Sequence, residues 1–309
     1  MAKIVLFGQA PFGKAVFDGL RAKGHEITAV SVPPDREGAR LDPLGEAAAD
    51  AGVRLVQRRS YKADDAAAEV DAGAADVGVL AFVTQIIPLP IVDAPKHGSV
   101  CFHPSLLPAY RGGSAIPWQL INGETRGGIA LFRTDAGMDT GPIYLTRELE
   151  IGPDDSAGSY YYRKVFDVGV EATIEATEMA LAGVEPTPQD ESLATYDPLC
   201  RDEHAVVQWV NDSKRLHDLV RGCDPAPGAH ARFGSQTLRL FGSKRSRDAA
   251  AGDPGIVLAI DDDGIEVATA DGALRFAKLR AAGAKGKAAE VAAEAGIAVG
   301  ARLDDGVSG

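Results

Sequence analysis

The sequence predicts an α/β domain with a mostly parallel sheet, followed by a small β-barrel. In roughly the first two thirds of the 309 residues, short apolar runs alternate with helical patterns. This alternation is typical of a parallel sheet whose strands are buried on both faces. Further along, short strand-like runs are separated by Gly and Asp turns, a spacing that indicates a small barrel. The polar, Pro-interrupted residues 183–200 are predicted to form a linker between the two.

The first domain is assigned to residues 1–200. Its strands are predicted at residues 3–7, 26–32, 53–56, 77–82, 99–102, 128–132 and 143–150. Helices are predicted at residues 44–51, 114–122 and 157–182, and in an amphipathic stretch that ends at Lys23. The Ala-rich residues 63–75 are predicted to be either helical or loose.

The second domain is assigned to residues 204–309. It is predicted to open with a helix at residues 214–220 and to continue with strands at residues 237–241, 255–260, 264–269 and 274–279. The last six residues, DDGVSG, are expected to be frayed.

The composition is that of a globular protein, with 45% apolar and 25% charged residues. No run is long enough to span a bilayer, and the start, MAKIVLFGQ, lacks the layout of a signal peptide. The three cysteines (Cys101, Cys200 and Cys223) are widely spaced and odd in number. Neither a disulfide framework nor a zinc site is therefore expected, and a reducing cytoplasm is favoured.

The net charge of -12 is concentrated in the first 203 residues, which carry 18 basic and 30 acidic side chains. Residues 204–309 carry 14 of each. Because nucleic-acid binding depends on clustered Lys and Arg, an acidic first domain argues against a nucleic-acid partner.

The turn after the first strand, GQAPFGKA, is one residue away from the GxxxxGK[ST] pattern of a phosphate-binding loop. Ala15 stands where that loop has its magnesium-binding hydroxyl, and the GxGxxG spacing of a dinucleotide site is absent. We interpret the motif as a tight strand-to-helix turn. It can still border an active site, because ligands collect at the carboxyl ends of such strands.

The stretch from Cys101 to Glu124, CFHPSLLPAYRGGSAIPWQLINGE, is the strongest candidate for a site. His103 ends an apolar run directly before Pro104, at the carboxyl end of a predicted strand. Imidazole titrates near neutrality and can both give and take a proton. The other histidines show no metal-ligand spacing: His25, His97, His204, His217 and His230.

A second polar loop, DAGMDTG, follows a later apolar run and contains Asp135 and Asp139. Both can be ordinary turn residues beside Gly137 and Gly141. A carboxylate can also orient an imidazole and position a water, so we expect Asp139 to meet His103 and share acid–base work.

Cys101 lies two residues before His103, and alternation along a strand puts both side chains on one face. A Cys/His nucleophilic pair is one interpretation. The other, which we favour, is a small core residue, because strand cysteines usually behave as such.

The chain thus combines His103 before SLLP, Arg111 before Gly112, and Asp139 before Thr-Gly. This combination and spacing resemble those of the 10-formyltetrahydrofolate-dependent formyl-transfer enzymes. The resemblance covers almost the whole chain and is closest to the amino-terminal hydrolase portion of 10-formyltetrahydrofolate dehydrogenase. It includes the stretches GQAPFGKAVFDGLRAKGHE, DPLG, QIIPLPIVDAPKHGSVCFHPSLLP and LVRGCDPAPGA.

The resemblance implies a Rossmann-like formyltransferase domain and a C-terminal barrel of the type shared with methionyl-tRNA formyltransferase. It implies 10-formyltetrahydrofolate as formyl donor, His103 and Asp139 as the catalytic pair, and no metal. The dehydrogenase's later portions are absent from the sequence, so no nicotinamide reduction is expected. The implied pterin-binding residues are Gln85, Ile86, Ile87, Asp135, Gly137 and Met138, and the implied oxyanion or acceptor-side residues are Cys101, Ser105 and Arg111.

Cys101 departs from the family pattern, in which most formyltransferases carry asparagine. The hydrolase of the dehydrogenase also departs from asparagine there, so the substitution favours that subgroup. A thiol is a weak donor compared with an amide. Stabilisation of an oxyanion is therefore expected to come mostly from His103 or a water.

Hydrolysis of 10-formyltetrahydrofolate to tetrahydrofolate and formate is the leading functional hypothesis. The alternatives are formyl transfer to a small amine, such as an amino sugar, then formylation of methionyl-tRNA, and lastly folate binding without catalysis. The sequence leaves open the acceptor and the oligomeric state.

Overall fold

The computed structural model describes residues 1–35, 38, 40–62, 66–246 and 252–307. The chain divides into two compact units. The first comprises Met1–Gly113, Gly128–Leu149 and Arg163–Tyr196, and the second comprises Ser114–Gly127, Glu150–Tyr162 and Asp197–Gly309. The units thus alternate along the chain. The predicted domain boundary between residues 200 and 204 stays a prediction.

The first unit is built on a sheet with seven strands among the described residues. They are β1 (Lys3–Gly8), β2 (Glu26–Val32), β3 (Arg54–Gln57), β4 (Val77–Ala81), β5 (Ser99–His103), β6 (Arg126–Arg133) and β7 (Ile143–Glu150). Their order is β3-β2-β1-β4-β5-β6-β7. The first five are mutually parallel, and β6 runs antiparallel to β5. The predicted, mostly parallel α/β sheet is confirmed, and the carboxyl ends of β1, β2, β4 and β5 share one edge.

The central strands consist of apolar residues because both faces of the sheet are covered. All five residues of β4 are buried, as are the five residues of β1 that follow Lys3. Residues buried on both faces read as continuous apolar runs rather than as an alternating pattern.

The helices, in chain order, are α1 (Ala10–Ala22), α2 (Pro43–Asp50), α3 (Ala66–Val70), α4 (Leu89–Val92), α5 (Ala115–Ile121), α6 (Ala157–Tyr160), α7 (Phe166–Leu181), α8 (Ser213–Gly222) and α9 (Ala288–Glu294). In the described part of the chain, no helix is both long enough and apolar enough to cross a bilayer.

The structure divides two of the predicted segments. The prediction for residues 63–75 falls partly on residues 63–65, which lie outside the described residues, and the remainder forms α3 and a 3₁₀ turn at Ala72–Ala74. The single helix predicted for residues 157–182 is α6, a π-turn at Tyr161–Val165, and α7. Buried Tyr160 and Val165 are five residues apart, a step that fits i→i+5 bonding better than the 3.6-residue α-helical period.

The turn between β1 and α1 is the tight turn predicted from GQAPFGKA. A Cβ at Gly8 would lie 2.5 Å from the Ala81 carbonyl oxygen, so only glycine lets β1 and β4 approach closely here. The Asp42 carboxylate accepts from the Ala10 N–H at 2.7 Å and from the Leu44 N–H at 2.9 Å, which caps α2 and ties it to the turn.

Strand β5, which carries His103, is fixed by packing against α1 and α7. The Phe102 and Phe12 rings lie 4.5 Å apart, measured between their centroids. A Cβ at Gly169 in α7 would lie 2.8 Å from the Phe102 ring. The missing side chain at Gly169 therefore lets α7 lie directly on the strand that ends at His103.

The second unit contains an antiparallel sheet of β8 (Ala229–Phe233), β9 (Gln236–Ser246), β10 (Val257–Asp261), β11 (Gly264–Ala268), β12 (Ala273–Arg280) and β13 (Gly286–Lys287). Its edge strands β8 and β10 are bridged by residues 301–304: Asp304 exchanges backbone hydrogen bonds with Arg232, and the Val257 N–H donates to the Ala301 carbonyl at 2.9 Å. The sheet thereby closes as the predicted barrel. The expected fraying of the tail is wrong as far as Gly306, whose N–H donates to the Val207 carbonyl.

Candidate active site

Two loops meet beside the carboxyl end of β5. The first, residues 104–113, follows His103, and the second, residues 134–142, joins β6 to β7. Because β6 is antiparallel to β5, the second loop begins beside the amino end of β5. It reaches the carboxyl end through Asp139, which lies against His103. The arrangement follows the rule that open α/β sheets bind ligands at the carboxyl ends of their strands.

The His103 imidazole is held between the two loops and is only 5% exposed. Its Nε2 lies 2.8 Å from the Tyr110 carbonyl oxygen, and its Nδ1 lies 3.6 Å from Asp139 Oδ2. Because a carbonyl can only accept, Nε2 carries a proton at this contact. Nδ1 is then the nitrogen that faces the carboxylate, at an ion-pair distance rather than a hydrogen-bond distance. The structure brings together the two residues predicted to be the catalytic pair.

Asp139 adopts a left-handed backbone conformation with φ of 58°. Its Oδ2 accepts from the Gly112 N–H at 2.8 Å, which aims the carboxylate at the His103 loop. Asp tolerates this conformation better than most residues, yet it needs support from its surroundings. The backbone around Asp139 is therefore shaped to present the carboxylate.

Cys101 is half-buried, and its Sγ lies 3.7 Å from the Phe102 carbonyl oxygen. Burial, and after it the negative charge of Asp139, raises the pKa of the Cys101 thiol well above its ordinary value. The thiol is consequently neutral at physiological pH, a state that disfavours the nucleophilic interpretation.

Ser105 and Arg111 use their polar atoms to hold the loops. The fully buried Ser105 hydroxyl donates to the Ala109 carbonyl at 2.6 Å. The buried Arg111 guanidinium donates to both Glu191 carboxylate oxygens, at 2.7 and 2.9 Å, and to Gln189 Oε1 at 2.8 Å. The hydrogen bonds to Glu191 raise the pKa of Arg111 and lower the pKa of Glu191. Ser105 and Arg111, which the sequence predicts to lie on the oxyanion or acceptor side of the site, therefore use these contacts to hold the loops in place.

The segment after β4 places Gln85, Ile86 and Ile87 at the same edge of the sheet. Gln85 Nε2 donates to the Arg58 and Arg59 carbonyls at 2.9 and 3.0 Å. Ile86 is 75% exposed, whereas Ile87 packs against the buried side chains on this face. A small pocket at the ends of β1, β2 and β4 is lined by Gly8, Gln9, Ser31, Tyr61, Gln85 and Ile87.

The Asp135 carboxylate organises its own loop. Its Oδ1 accepts from the Gly137 N–H at 3.0 Å and from the Thr140 hydroxyl at 2.6 Å, which is the turn role considered from the sequence. Met138 is half-exposed at 44%, and its sulfur accepts from the Tyr196 hydroxyl at 3.0 Å. Asp135 also lines a cavity of about 520 Å³ beside Gly98 and Arg133, near the opposite end of β5 from His103.

The predicted linker, residues 183–200, proves to be part of the site's framework. Gln189 Nε2 donates to the carbonyls of Asp139 and Gly141, at 2.8 and 2.7 Å. The Thr195 carbonyl accepts from the Arg111 N–H at 3.0 Å. Sequence reasoning missed these residues because they bond to partners 48 to 84 positions away, and no local pattern encodes such contacts.

The described residues contain no group of three His, Cys, Asp or Glu side chains placed to hold a metal ion. What the fold and the site define is an α/β unit with a His/Asp pair at the carboxyl edge of its sheet, accompanied by an antiparallel barrel unit.

Comparisons with known proteins assign this architecture. The profile of the formyl transferase family matches residues 2–177, and the profile described as the formyl transferase C-terminal domain matches residues 200–295. The chain belongs to the formyl transferase family, and it is an enzyme of that family. The resemblance predicted from the His103 and Asp139 motifs is confirmed.

Two curated relatives show different coverage. Mitochondrial 10-formyltetrahydrofolate dehydrogenase of Mus musculus is 39% identical over 78% of this chain, and the match spans 27% of that protein. Methionyl-tRNA formyltransferase of Geobacter metallireducens is 33% identical over 98% of this chain and 97% of that protein. Among solved structures, HypX from Aquifex aeolicus in complex with tetrahydrofolic acid matches with a TM-score of 0.71 and 23% identity, over 95% of this chain and 47% of that one. At 23% identity, the structural match supports the assignment of the fold alone.

Proposed function

We propose that this enzyme hydrolyses 10-formyltetrahydrofolate to tetrahydrofolate and formate, with His103 and Asp139 as its acid–base pair. The observation that carries the proposal is the approach of His103 Nδ1 to within 3.6 Å of Asp139 Oδ2 beside the carboxyl end of β5. The similarity to 10-formyltetrahydrofolate dehydrogenase supports this formyl donor. Cys101, at the position where most formyltransferases carry asparagine, supports hydrolysis over transfer.

The pterin ring of the donor binds between residues 85–87 and residues 135–139. Both segments offer exposed apolar side chains, Ile86 and Met138, which suit the faces of a flat ring. Backbone groups of the same loops suit its amide-like edge. Residues 85–87 follow β4, whose carboxyl end lies beside that of β5, and Asp139 ends the second segment against His103. A pterin held there can present its formyl group to His103.

Asp139 and His103 divide the proton transfers between them. Asp139 Oδ2 accepts a proton from water as the water oxygen bonds to the formyl carbon. His103, protonated on Nδ1, donates to the oxygen of the tetrahedral intermediate. The bond from carbon to N10 then breaks as Asp139 passes its proton to N10, and the carbon fragment returns one hydroxyl proton to His103 Nδ1, which leaves formic acid. Formic acid loses its acidic proton to solvent to give formate, and both residues are back in their starting states. The Cys101 thiol stays protonated throughout and takes no covalent part.

Formyl transfer to an amine is the second candidate. It is favoured by the match to methionyl-tRNA formyltransferase, which extends over nearly the whole of both chains. Within this candidate a small amine ranks above tRNA, because the first 203 residues carry 30 acidic and 18 basic side chains. We place either reaction in the cytoplasm, because the three cysteines are free thiols and the cytoplasm keeps thiols reduced.

The test is to follow tetrahydrofolate release from 10-formyltetrahydrofolate with and without a panel of amines. Hydrolysis predicts release in the absence of any amine, at a rate that added amines leave unchanged. Release that requires an amine overturns the hydrolase proposal and establishes the transferase. Cys101→Asn serves as a probe of the outcome, because an amide at position 101 is expected to raise transfer relative to hydrolysis.

A further inference from the structure

We infer that Gln189 is a positioning residue, whose side-chain amide locks the Asp139 loop against Arg111 and so sets the aim of the Asp139 carboxylate. The inference rests on the proposed function, because it depends on a part for Asp139 in formyl chemistry. It adds a residue outside both sequence motifs and inside the segment that the sequence predicts as a linker.

The Gln189 amide is bonded on both of its sides. Nε2 has two hydrogens and donates both, to the carbonyl oxygens of Asp139 at 2.8 Å and Gly141 at 2.7 Å. Oε1 accepts from Arg111 Nη2 at 2.8 Å and Nε at 3.3 Å. The chemistry fixes the orientation of the amide, because carbonyls require a donor and a guanidinium requires an acceptor. Glutamine meets both requirements at once, whereas glutamate or leucine cannot.

Asp139 requires support of this kind. With φ of 58°, it occupies a conformation that a residue with a side chain keeps only when its surroundings hold it there. The Gly112 N–H holds its carboxylate and Gln189 holds its carbonyl, so the residue is fixed on both sides of its Cα. Loss of the Gln189 contact frees the backbone rotation that swings Oδ2 away from His103.

The segment that carries Gln189 is itself anchored. Thr187 exchanges backbone hydrogen bonds with Ile143, at 2.7 and 2.9 Å. On the other side of Gln189, Thr195 accepts from the Tyr110 N–H through its hydroxyl at 2.7 Å and from the Arg111 N–H through its carbonyl. The backbone on both sides of Gln189 is therefore held in place, so the hydrogen bonds of its side chain restrict the movement of the Asp139 loop.

The experiment compares Gln189→Leu and Gln189→Glu with the wild-type chain, and uses Ser192→Ala as a matched control. Ser192 is an exposed neighbour on the same segment, and it bonds to Asp190. Both Gln189 variants are expected to lower kcat on the order of tenfold to a hundredfold, because small misplacements of catalytic groups cost that much. The control is expected to stay within about twofold.

The pH profile separates positioning from a general structural role. Gln189→Glu keeps acceptors for Arg111 but sets a carboxylate against two carbonyl oxygens. When the introduced carboxyl is protonated at lower pH, it regains a donor, so its deficit relative to wild type is expected to shrink as the pH is lowered from 8 towards about 4.3, the ordinary pKa of glutamic acid. The deficit of Gln189→Leu is expected to stay constant. Equal and pH-independent deficits in the two variants overturn the inference.

A readout without turnover distinguishes failure of the inference from failure of the proposed function. Hydrogen exchange of the Gly112 amide, which donates to Asp139 Oδ2, is expected to be at least about tenfold faster in Gln189→Glu than in wild type. Wild-type exchange in both variants overturns the inference, whatever the reaction proves to be. A wild-type chain that leaves 10-formyltetrahydrofolate unchanged, with or without amines, overturns the proposed function alone.

Discussion

At the scale of single residues, the site consists of one imidazole, one carboxylate and one thiol kept neutral. His103 is fixed through Nε2, and Asp139 is aimed by the Gly112 N–H. Burial, and after it the charge of Asp139, raises the pKa of the Cys101 thiol. The two residues that we propose as the acid–base pair could be predicted from the sequence, because a histidine at the end of a strand and an aspartate in a glycine-containing turn are local signals. The hydrogen bonds that orient these two side chains, from His103 to the Tyr110 carbonyl and from the Gly112 N–H to Asp139, could not be predicted.

Asp139→Asn is expected to lower kcat by about 10²- to 10⁴-fold, since an amide cannot accept a proton from water. The fold should survive, because asparagine tolerates the left-handed conformation and its amide oxygen still accepts from Gly112. Steady-state kinetics and a thermal melt measure the two effects. Asp18→Asn, on the exposed Lys14–Asp18 pair of α1, is the matched control. Equal kinetics in the two variants would remove Asp139 from the mechanism.

Alkylation distinguishes the thiols. The pKa of Cys101 is raised by burial, so its thiolate fraction stays low as the pH rises through about 8.5, where an ordinary thiol is half ionised. A hydrogen bond from Cys223 instead lowers the pKa of Cys200. With iodoacetamide at that pH, Cys200 is expected to react about tenfold faster than Cys101, as measured by peptide mass spectrometry. If Cys101 reacts fastest, the account of a neutral thiol is wrong.

At the scale of elements, the site depends on how closely helices and strands approach. The contact of α7 with β5 requires a glycine at position 169, and the contact of α8 with α5 requires one at position 222, where a Cβ would lie 2.6 Å from Ile121. The sequence shows these glycines but not their partners. The elements α4, α9 and β8 were not predicted either, because such short elements are fixed by partners that are distant along the chain.

Gly169→Ala is expected to destabilise the protein by about 1–3 kcal/mol, because the added methyl enters the space of the Phe102 and Phe12 rings, at 2.8 and 3.0 Å. Gly73→Ala is the matched control, since a Cβ there meets nothing within 4 Å. Its effect should stay within about 0.5 kcal/mol. Urea unfolding of both variants measures the difference. Equal stabilities would contradict the close packing of α7 on β5.

His217 in α8 gives the second unit a predicted pH dependence. Burial lowers the pKa of its imidazole, which bonds to the Ser243 hydroxyl and the Pro153 carbonyl; Arg221 lowers it further, and Asp154 and Asp218 act in the opposite direction. Below about pH 6.5 the unfolded chain takes up a proton that the folded chain resists, so the free energy of unfolding falls as the pH falls. The slope attributable to His217 is at most about 1.4 kcal/mol per pH unit.

The comparison of wild type with His217→Gln between pH 7 and pH 5 isolates this contribution. Glutamine can bond to both partners and does not titrate, so its stability is expected to decline less steeply with acid. Identical slopes in chemical denaturation would show that His217 is not the source.

At the scale of the whole molecule, the sequence predicted the order of architectures, an α/β sheet followed by a barrel, because strand periodicity and turn composition are visible along the chain. It did not predict that residues 114–127 and 150–162 belong to the unit that contains the barrel. Nor did it predict that residues 187–196 support the two loops that meet at His103 and Asp139. Polar, Pro-interrupted sequence is common to linkers and to ordered segments whose bonds are long-range, and composition cannot separate the two.

The central claim is that water, activated at Asp139 and His103, is the formyl acceptor. Its most direct test is the reaction of 10-formyltetrahydrofolate in H₂¹⁸O without any amine, with formate and tetrahydrofolate measured together by mass spectrometry. We expect equal amounts of the two products and one ¹⁸O atom in each formate, with formation of both slowed by about 10²- to 10⁴-fold in Asp139→Asn. Absence of formate, or formate without the label, would contradict it.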